Sequence, residues 1–272
     1  MDFEVTYSDE QEMFRNTVRS WLEENKPRDL VLPIDGGPLS KESQDKVREF
    51  RVKLGTMGWL APSWPENLGG AGLNPELAAI FREEFDKLDL PSIGNNVRWI
   101  PAMMIWGTPE QRSRYVTAAV RGETITWQLF SEPDTGSDIA STRTTATRDG
   151  SDWVINGHKS FVTARFDPDQ LWTLAVTDQN RPPKLNLGIF MIDASLPGIT
   201  IKTQNLLVGS ERHIYMEDVR VPSECLIGDL YQGWEIAQSI LIVERGGDMT
   251  DRPDSSTAQT VAQYLRDQKQ VD

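Results

Sequence analysis

Residues 130–138, Phe-Ser-Glu-Pro-Asp-Thr-Gly-Ser-Asp, are the first stretch whose residue types could do chemistry. Pro133 and Gly136 can turn successive backbone amides to one side, and that arrangement suits an acceptor-rich ligand. An ordinary solvated turn has the same composition, so the stretch alone leaves both readings open. A second candidate is Glu244, which continues the apolar helical face of Ala237 and Leu241 and lies near a helix end. Burial and the negative end of the helix dipole both disfavour its charge and raise its pKa, as a general base requires. Its bland alternative is an exposed helix terminus in which Glu244 and Arg245 form a weak ion pair. Other chemistries are poorly supplied. His158 and His213 are the only histidines and Cys225 the only cysteine, which excludes an intrachain disulfide and a thiolate zinc cage and argues against a catalytic triad.

The elements that must position these groups fall into three blocks. Up to residue 122 the signals are helical: a capping box at Ser8 and Gln11, a second start at Asn74-Pro75, and a third at Thr108-Pro109 with Gln111. The Gly- and Pro-rich stretches 58–62 and 66–72 between them read as loops. From residue 123 the period falls to near two, with short β-branched and aromatic runs that predict an antiparallel barrel or sandwich. Asn156-Gly157 predicts a hairpin turn there, placing His158 and Lys159 at a solvated hairpin end. From residue 232 the pattern returns to helix, ending at Gly246-Gly247. The segment after Gly247 reads as polar loop with a last short helix near 261–270. The expected fold is therefore α+β: helical domain 1–122, middle β domain 123–231, and an incomplete carboxy-terminal helical segment 232–272. Trp99 and Trp106 read as core in preference to a pocket lining, His213 receives no role, and Cys225 reads as packing.

With 38% hydrophobic and 25% charged residues the chain is globular. Its 41 acidic against 28 basic residues give a net charge of −13, which disfavours nucleic acid and anionic membranes as general partners. The acidic amino terminus has no apolar signal core and no run of about 18 apolar residues occurs, so a cytoplasmic protein is expected.

Four separated motifs then carry a resemblance: GWLAPSWPENLGGAGLNPE, SEPDTGSD, NGHKSFVTA, and MEDVRVPSECLIG with YQGWEIA and ER. In this order and spacing the chain resembles the acyl-CoA dehydrogenases over nearly its whole length. The resemblance implies a helical domain, a β domain and a carboxy-terminal helical domain, usually assembled as a tetramer. It implies FAD as cofactor, an acyl-CoA thioester as substrate, α,β-dehydrogenation as the reaction, and an electron-transferring flavoprotein as acceptor.

Residue by residue, the resemblance places Phe130, Ser131, Gly136 and Ser137 against the flavin and pyrophosphate, with Ser137 also reaching substrate. Phe161, Val162 and Thr163 match the second flavin segment, where the family has Trp-Ile-Thr; Phe161 keeps an apolar wall but lacks the indole N–H. Glu244 matches the base of those members that act on branched or bulky acyl groups, including steroid side chains, and Arg245 an arginine near substrate or cofactor. Ile242 replaces an acidic residue common there, which puts the grip on the pantetheine in doubt. The chain stops before the position where most members carry the base, so a fragment, a subunit completed by a partner, or a degenerate chain are all open. A homo- or hetero-oligomer is expected. Two other functions stand beside dehydrogenation: a flavin monooxygenase on the same scaffold, and a non-catalytic partner subunit.

Overall fold

The computed structural model describes residues 7–31, 33, 37–88, 90, 93–94, 97–207 and 209–246, the last five as backbone only. The loop and short helix expected after Gly247 lie outside the described residues.

Local signals set the first helices. Helix α1, Asp9–Asn25, starts on the expected capping box, with Gln11 N donating to Ser8 Oγ and Ser8 N to Gln11 Oε1. Helix α3, Pro75–Asp86, is capped by Asn74 with Pro75 at its first position. Val18 and Leu22 of α1 meet Phe81 of α3 in one apolar cluster, and Arg15 and Arg19 pair with the buried carboxylate of Glu84 beside it. Helix α2, Lys41–Thr56, completes the layer through Phe50 and Leu54, while its Val47 joins the apolar cluster of the sheet. Helix α4, Ile100–Trp106, precedes a second run in which α5, Pro109–Gln111, passes through a π-turn, Arg112–Val116, into α6, Thr117–Val120. The Thr108 and Gln111 capping box opens that run. Stretches 58–62 and 66–72 are loops apart from one 3₁₀ turn at Glu66–Leu68.

The sheet comprises β1 (Thr126–Leu129), β2 (Thr145–Asp149), β3 (Asp152–Val162), β4 (Gln170–Val176), β5 (Leu187–Asp193), β6 (Ile199–Asn205), β7 (Ser210–Val221) and β8 (Leu226–Ile227). Its order is β6-β7-β3-β2-β4-β5-β8, and β1 lies on β4. Most pairs are antiparallel, as expected, but β2 meets β4 in parallel at Thr145 and Val176, and β1 and β4 run parallel. Parallel neighbours need a long crossover, and the β2–β3 hairpin lies within the one that joins them.

The hairpin expected at Asn156-Gly157 is not there. Strand β3 runs straight through both residues, and the β2–β3 turn is Gly150-Ser151, between the paired Asp149 and Asp152. Gly150 has the positive φ, +63°, that such a turn requires. Gly157 is needed for proximity instead: a Cβ there would lie 2.3 Å from Thr144 Oγ1. Asn156 exchanges hydrogen bonds with Asp218 of β7, accepting from its backbone N and donating to its carboxylate.

Helix α7, Gly233–Gly246, packs on β5, β4 and α4. Ile236, Ala237 and Ile240 are fully buried with Trp99, Met103 and Ile189; of the face expected at Ala237 and Leu241, Ala237 is buried and Leu241 only partly so. The helix begins in contact with β5, since a Cβ on Gly233 would meet Gly188 N at 2.6 Å.

Candidate functional site

Strand β1 ends at Leu129, and Phe130 turns its ring into the core. The chain then closes a tight loop: Glu132 N donates to Thr135 O at 2.8 Å and Thr135 N to Glu132 O at 3.0 Å, leaving Pro133 and Asp134 at the tip. Gly136, Ser137 and Asp138 follow on the surface before Ile139 and Ala140 re-enter the core. A Cβ on Gly136 would meet nothing within 4 Å. Neither Gly136 nor Ser137 commits its amide to a hydrogen bond among the described residues. The turn therefore presents open amides, as an anion-accepting nest does.

Strand β3 brings the second segment alongside. Ser160 N donates to Ser131 O at 3.0 Å. A bulge in the β3–β7 ladder between Lys159 and Val162 then redirects the chain. Phe161 sits there at φ +60°, a conformation rare for a bulky side chain, with its ring half exposed. Thr163 is exposed and Val162 half-buried. Ser160 is buried, and its hydroxyl has no hydrogen-bond partner among the described residues. The sequence-predicted residues Phe130, Ser131, Gly136, Ser137, Phe161, Val162 and Thr163 thus fall on two segments joined by a direct backbone hydrogen bond.

Lys159 corrects the sequence reading. It is not at a solvated hairpin end but fully buried, with Nζ 2.8 Å from Glu132 Oε1 and 3.3 Å from Phe130 O. The bulge at Ile155–Gly157 interrupts the alternation of β3 and sets Lys159 opposite the buried Ile214. Glu132, also buried, accepts from Arg143 N at 2.7 Å, Thr144 N at 2.9 Å and Thr144 Oγ1 at 2.6 Å. Burial pushes the Lys159 ammonium down to about 8 despite the opposing pull of Glu132. Burial acts the other way on Glu132, but the charge of Lys159 and the hydrogen bonds outweigh it and hold the carboxyl below its usual range. Sequence reasoning gave Glu132 no role and read Lys159 as solvated. The available signal was a carboxylate inside the turn and a lysine two residues after the glycine of a strand.

His158 is likewise not solvated: it is half-buried, stacked on Tyr215 at 4.2 Å between ring centres, and 2.9 Å from His213. Trp99 is fully buried 5.7 Å from Trp172, and Trp106 packs against the same cluster, so both serve the core. Burial pushes the half-buried Cys225 thiol up to about 11, away from nucleophilic use. Glu244 and Arg245 fall in the last turn of α7, and their side chains lie outside the described residues. No group of His, Cys, Asp or Glu among the described residues could hold a metal ion, and no helix among them is long and apolar enough to cross a membrane.

Residues 8–123 match the acyl-CoA dehydrogenase N-terminal domain, and residues 128–219 the acyl-CoA dehydrogenase middle domain. The chain belongs to the acyl-CoA dehydrogenase family. Among curated relatives it is 31% identical to acyl-CoA dehydrogenase IpdE1 of Mycobacterium tuberculosis over 243 residues, covering 86% of this chain and 63% of that protein. Among solved structures, a variant of the Tcur3481-Tcur3483 steroid ACAD superposes with a TM-score of 0.72 at 26% identity, over 87% of this chain and 62% of that one. The ChsE4-ChsE5 complex from Mycobacterium tuberculosis gives 0.70 at 26% identity, over 88% and 61%. The chain therefore spans about three-fifths of the length of these acyl-CoA dehydrogenases.

Members of this family bind FAD, and the donor set on this edge fits it. Open amides at Gly136 and Ser137 suit a pyrophosphate or a flavin carbonyl, the hydroxyls of Ser137 and Thr163 are free to bond, and the exposed Phe161 ring offers an apolar face.

Proposed function

We propose that this acyl-CoA dehydrogenase chain binds FAD along the edge formed by residues 130–138 and 161–163 and takes part in α,β-dehydrogenation of an acyl-CoA thioester. The observation that carries this reading is the joining of the two segments. Ser160 N bonds Ser131 O, so the open turn and the exposed Phe161 lie on one edge although 22 residues lie between them in sequence. Bound there, FAD would supply the acceptor for the β hydrogen, which leaves as hydride.

The chain's own residues do the rest. Gly136 and Ser137 offer amides and a hydroxyl to the cofactor, Thr163 a hydroxyl, and Phe161 a wall that excludes water from one face. Glu244 takes the proton from the α carbon, and Arg245 lies beside the substrate. As the proton leaves, the electron pair of the α C–H bond becomes the new double bond, and the β hydrogen departs with its own pair. The position of Glu244, on the last turn of a helix whose buried face rests on β5, supports this role.

Similarity to a steroid ACAD supports a bulky or branched acyl group, and similarity to the ChsE4-ChsE5 complex supports a hetero-oligomer. An electron-transferring flavoprotein is the proposed electron acceptor. The test is anaerobic mixing of the purified FAD-loaded protein with a branched acyl-CoA. Flavin bleaching is expected, with its loss in Glu244→Gln. Bleaching retained in that variant would remove Glu244 from the mechanism.

A further inference from the structure

The Glu132–Lys159 pair takes no part in the chemistry above, yet it lies between the two segments that carry it. A buried ion pair is a poor source of net stability, because desolvating two charges offsets most of their attraction, and apolar replacements of both partners often fold as well. What such a pair can supply is fixed geometry. Here one carboxylate ties three stretches of chain together. Through its own backbone Glu132 closes the turn on Thr135; its side chain accepts from Arg143 and Thr144 where the chain leaves the turn. It also receives the Lys159 ammonium from β3, and that ammonium reaches Phe130 O as well. Side-chain exposure is 0% for Lys159 and 5% for Glu132, so both act through their neighbours.

We propose that Glu132 and Lys159 are positioning residues for the cofactor edge, clamping the turn of residues 130–138 against β3 so that the Gly136 and Ser137 amides and the Phe161 ring keep a fixed register. The clamp follows from the contacts themselves; the identity of its ligand rests on the FAD reading above. It is a device of preorganisation: the ordering of the turn is completed on folding and need not be repeated on binding.

The test separates positioning from stability. Lys159→Met leaves a buried unpaired carboxylate and should lower the melting temperature. Glu132→Leu/Lys159→Met removes both charges and should recover part of that loss, since Thr144 N and Oγ1 still lose their acceptor. FAD affinity of the full chain, read by quenching of flavin fluorescence, is expected to remain about 10- to 100-fold weaker in the double variant, because the bonds to Arg143, Thr144 and Phe130 are gone. Recovery of affinity together with stability would overturn the clamp and leave the FAD reading intact. If the wild-type chain binds no FAD, that reading fails and hydrogen exchange decides the clamp. The hydrogen-bonded amides of residues 132, 135 and 160 should then exchange about 10-fold faster in the double variant while those of β4 do not change, and equal exchange overturns it. A double variant that cannot fold makes the pair a folding element, and the proposal falls.

Discussion

His158 Nε2 lies 2.9 Å from His213 Nδ1, so the chain's two histidines share a hydrogen bond across β3 and β7 in which only one nitrogen carries the proton. His213 Nε2 in turn lies 2.9 Å from Glu211, which orients it as a donor on that side.

His158 should therefore resist protonation. Burial, then the neighbouring His213, holds it below the ordinary value of 6.5. A depressed folded value means that the unfolded chain binds more protons below pH 6.5, so this group withdraws stability as the pH falls through that window. Ring-proton shifts followed by NMR should show His158 titrating below 6.5, and a midpoint at or above that value would contradict it.

Lys159 makes the opposite end of the pH scale informative. Its folded value of about 8 lies below the ordinary 10.5, so between these limits the unfolded chain again binds more protons. Wild type should gain stability relative to Lys159→Met as the pH rises from about 8 to 10.5, by roughly 1 to 3 kcal/mol. Paired denaturant titrations check this, and a flat difference would mean that the buried Lys159 keeps its proton up to the ordinary 10.5.

Phe161 occupies the left-handed region with half its ring exposed, so little burial offsets the backbone strain. Phe161→Gly should stabilise the FAD-free chain by about 0.5 to 1 kcal/mol and weaken FAD binding at the same time. Urea denaturation with and without FAD measures both; a loss of stability without FAD would show that the ring, not the strain, dominates.

Gly157→Ala should destabilise by about 1 to 3 kcal/mol, since its Cβ would fall 2.3 Å from the same Thr144 hydroxyl that bonds Glu132. A thermal melt unchanged from wild type would show that the strand can shift away from Thr144 freely.

What was legible in the sequence was local. Ser8, Asn74 and Thr108 cap helices with partners three residues away, and all three starts are found where those residues predict them. Helix α2 was not read. Its inward face includes Ser43, Gln44 and Arg51, and these break the apolar period. Arg51 is tolerated inside only because Ile93 O and Thr124 O, far away in sequence, accept its protons. Asn156-Gly157 misled for the same reason: its partners, Asp218 of β7 and Thr144 just before β2, come from other stretches of the chain, and the tertiary contacts overrode the turn preference. Of the proposed cofactor edge, the exposed residues are proposed from motif order, whereas the buried pair beneath them depends on a contact across 27 residues. The side chain of Glu244 stands as inference from helical phase and family.

The contact of Gly233 with the backbone of Gly188 makes α7 a lever pivoted on the sheet. Position 244 lies 11 residues along it, about 16 Å from the pivot at 1.5 Å per residue. A tilt of about 5° there would sweep that position through roughly 1.4 Å, more than a proton transfer tolerates. Aim at the far end of the helix is thus set by the absence of a methyl group at the near end.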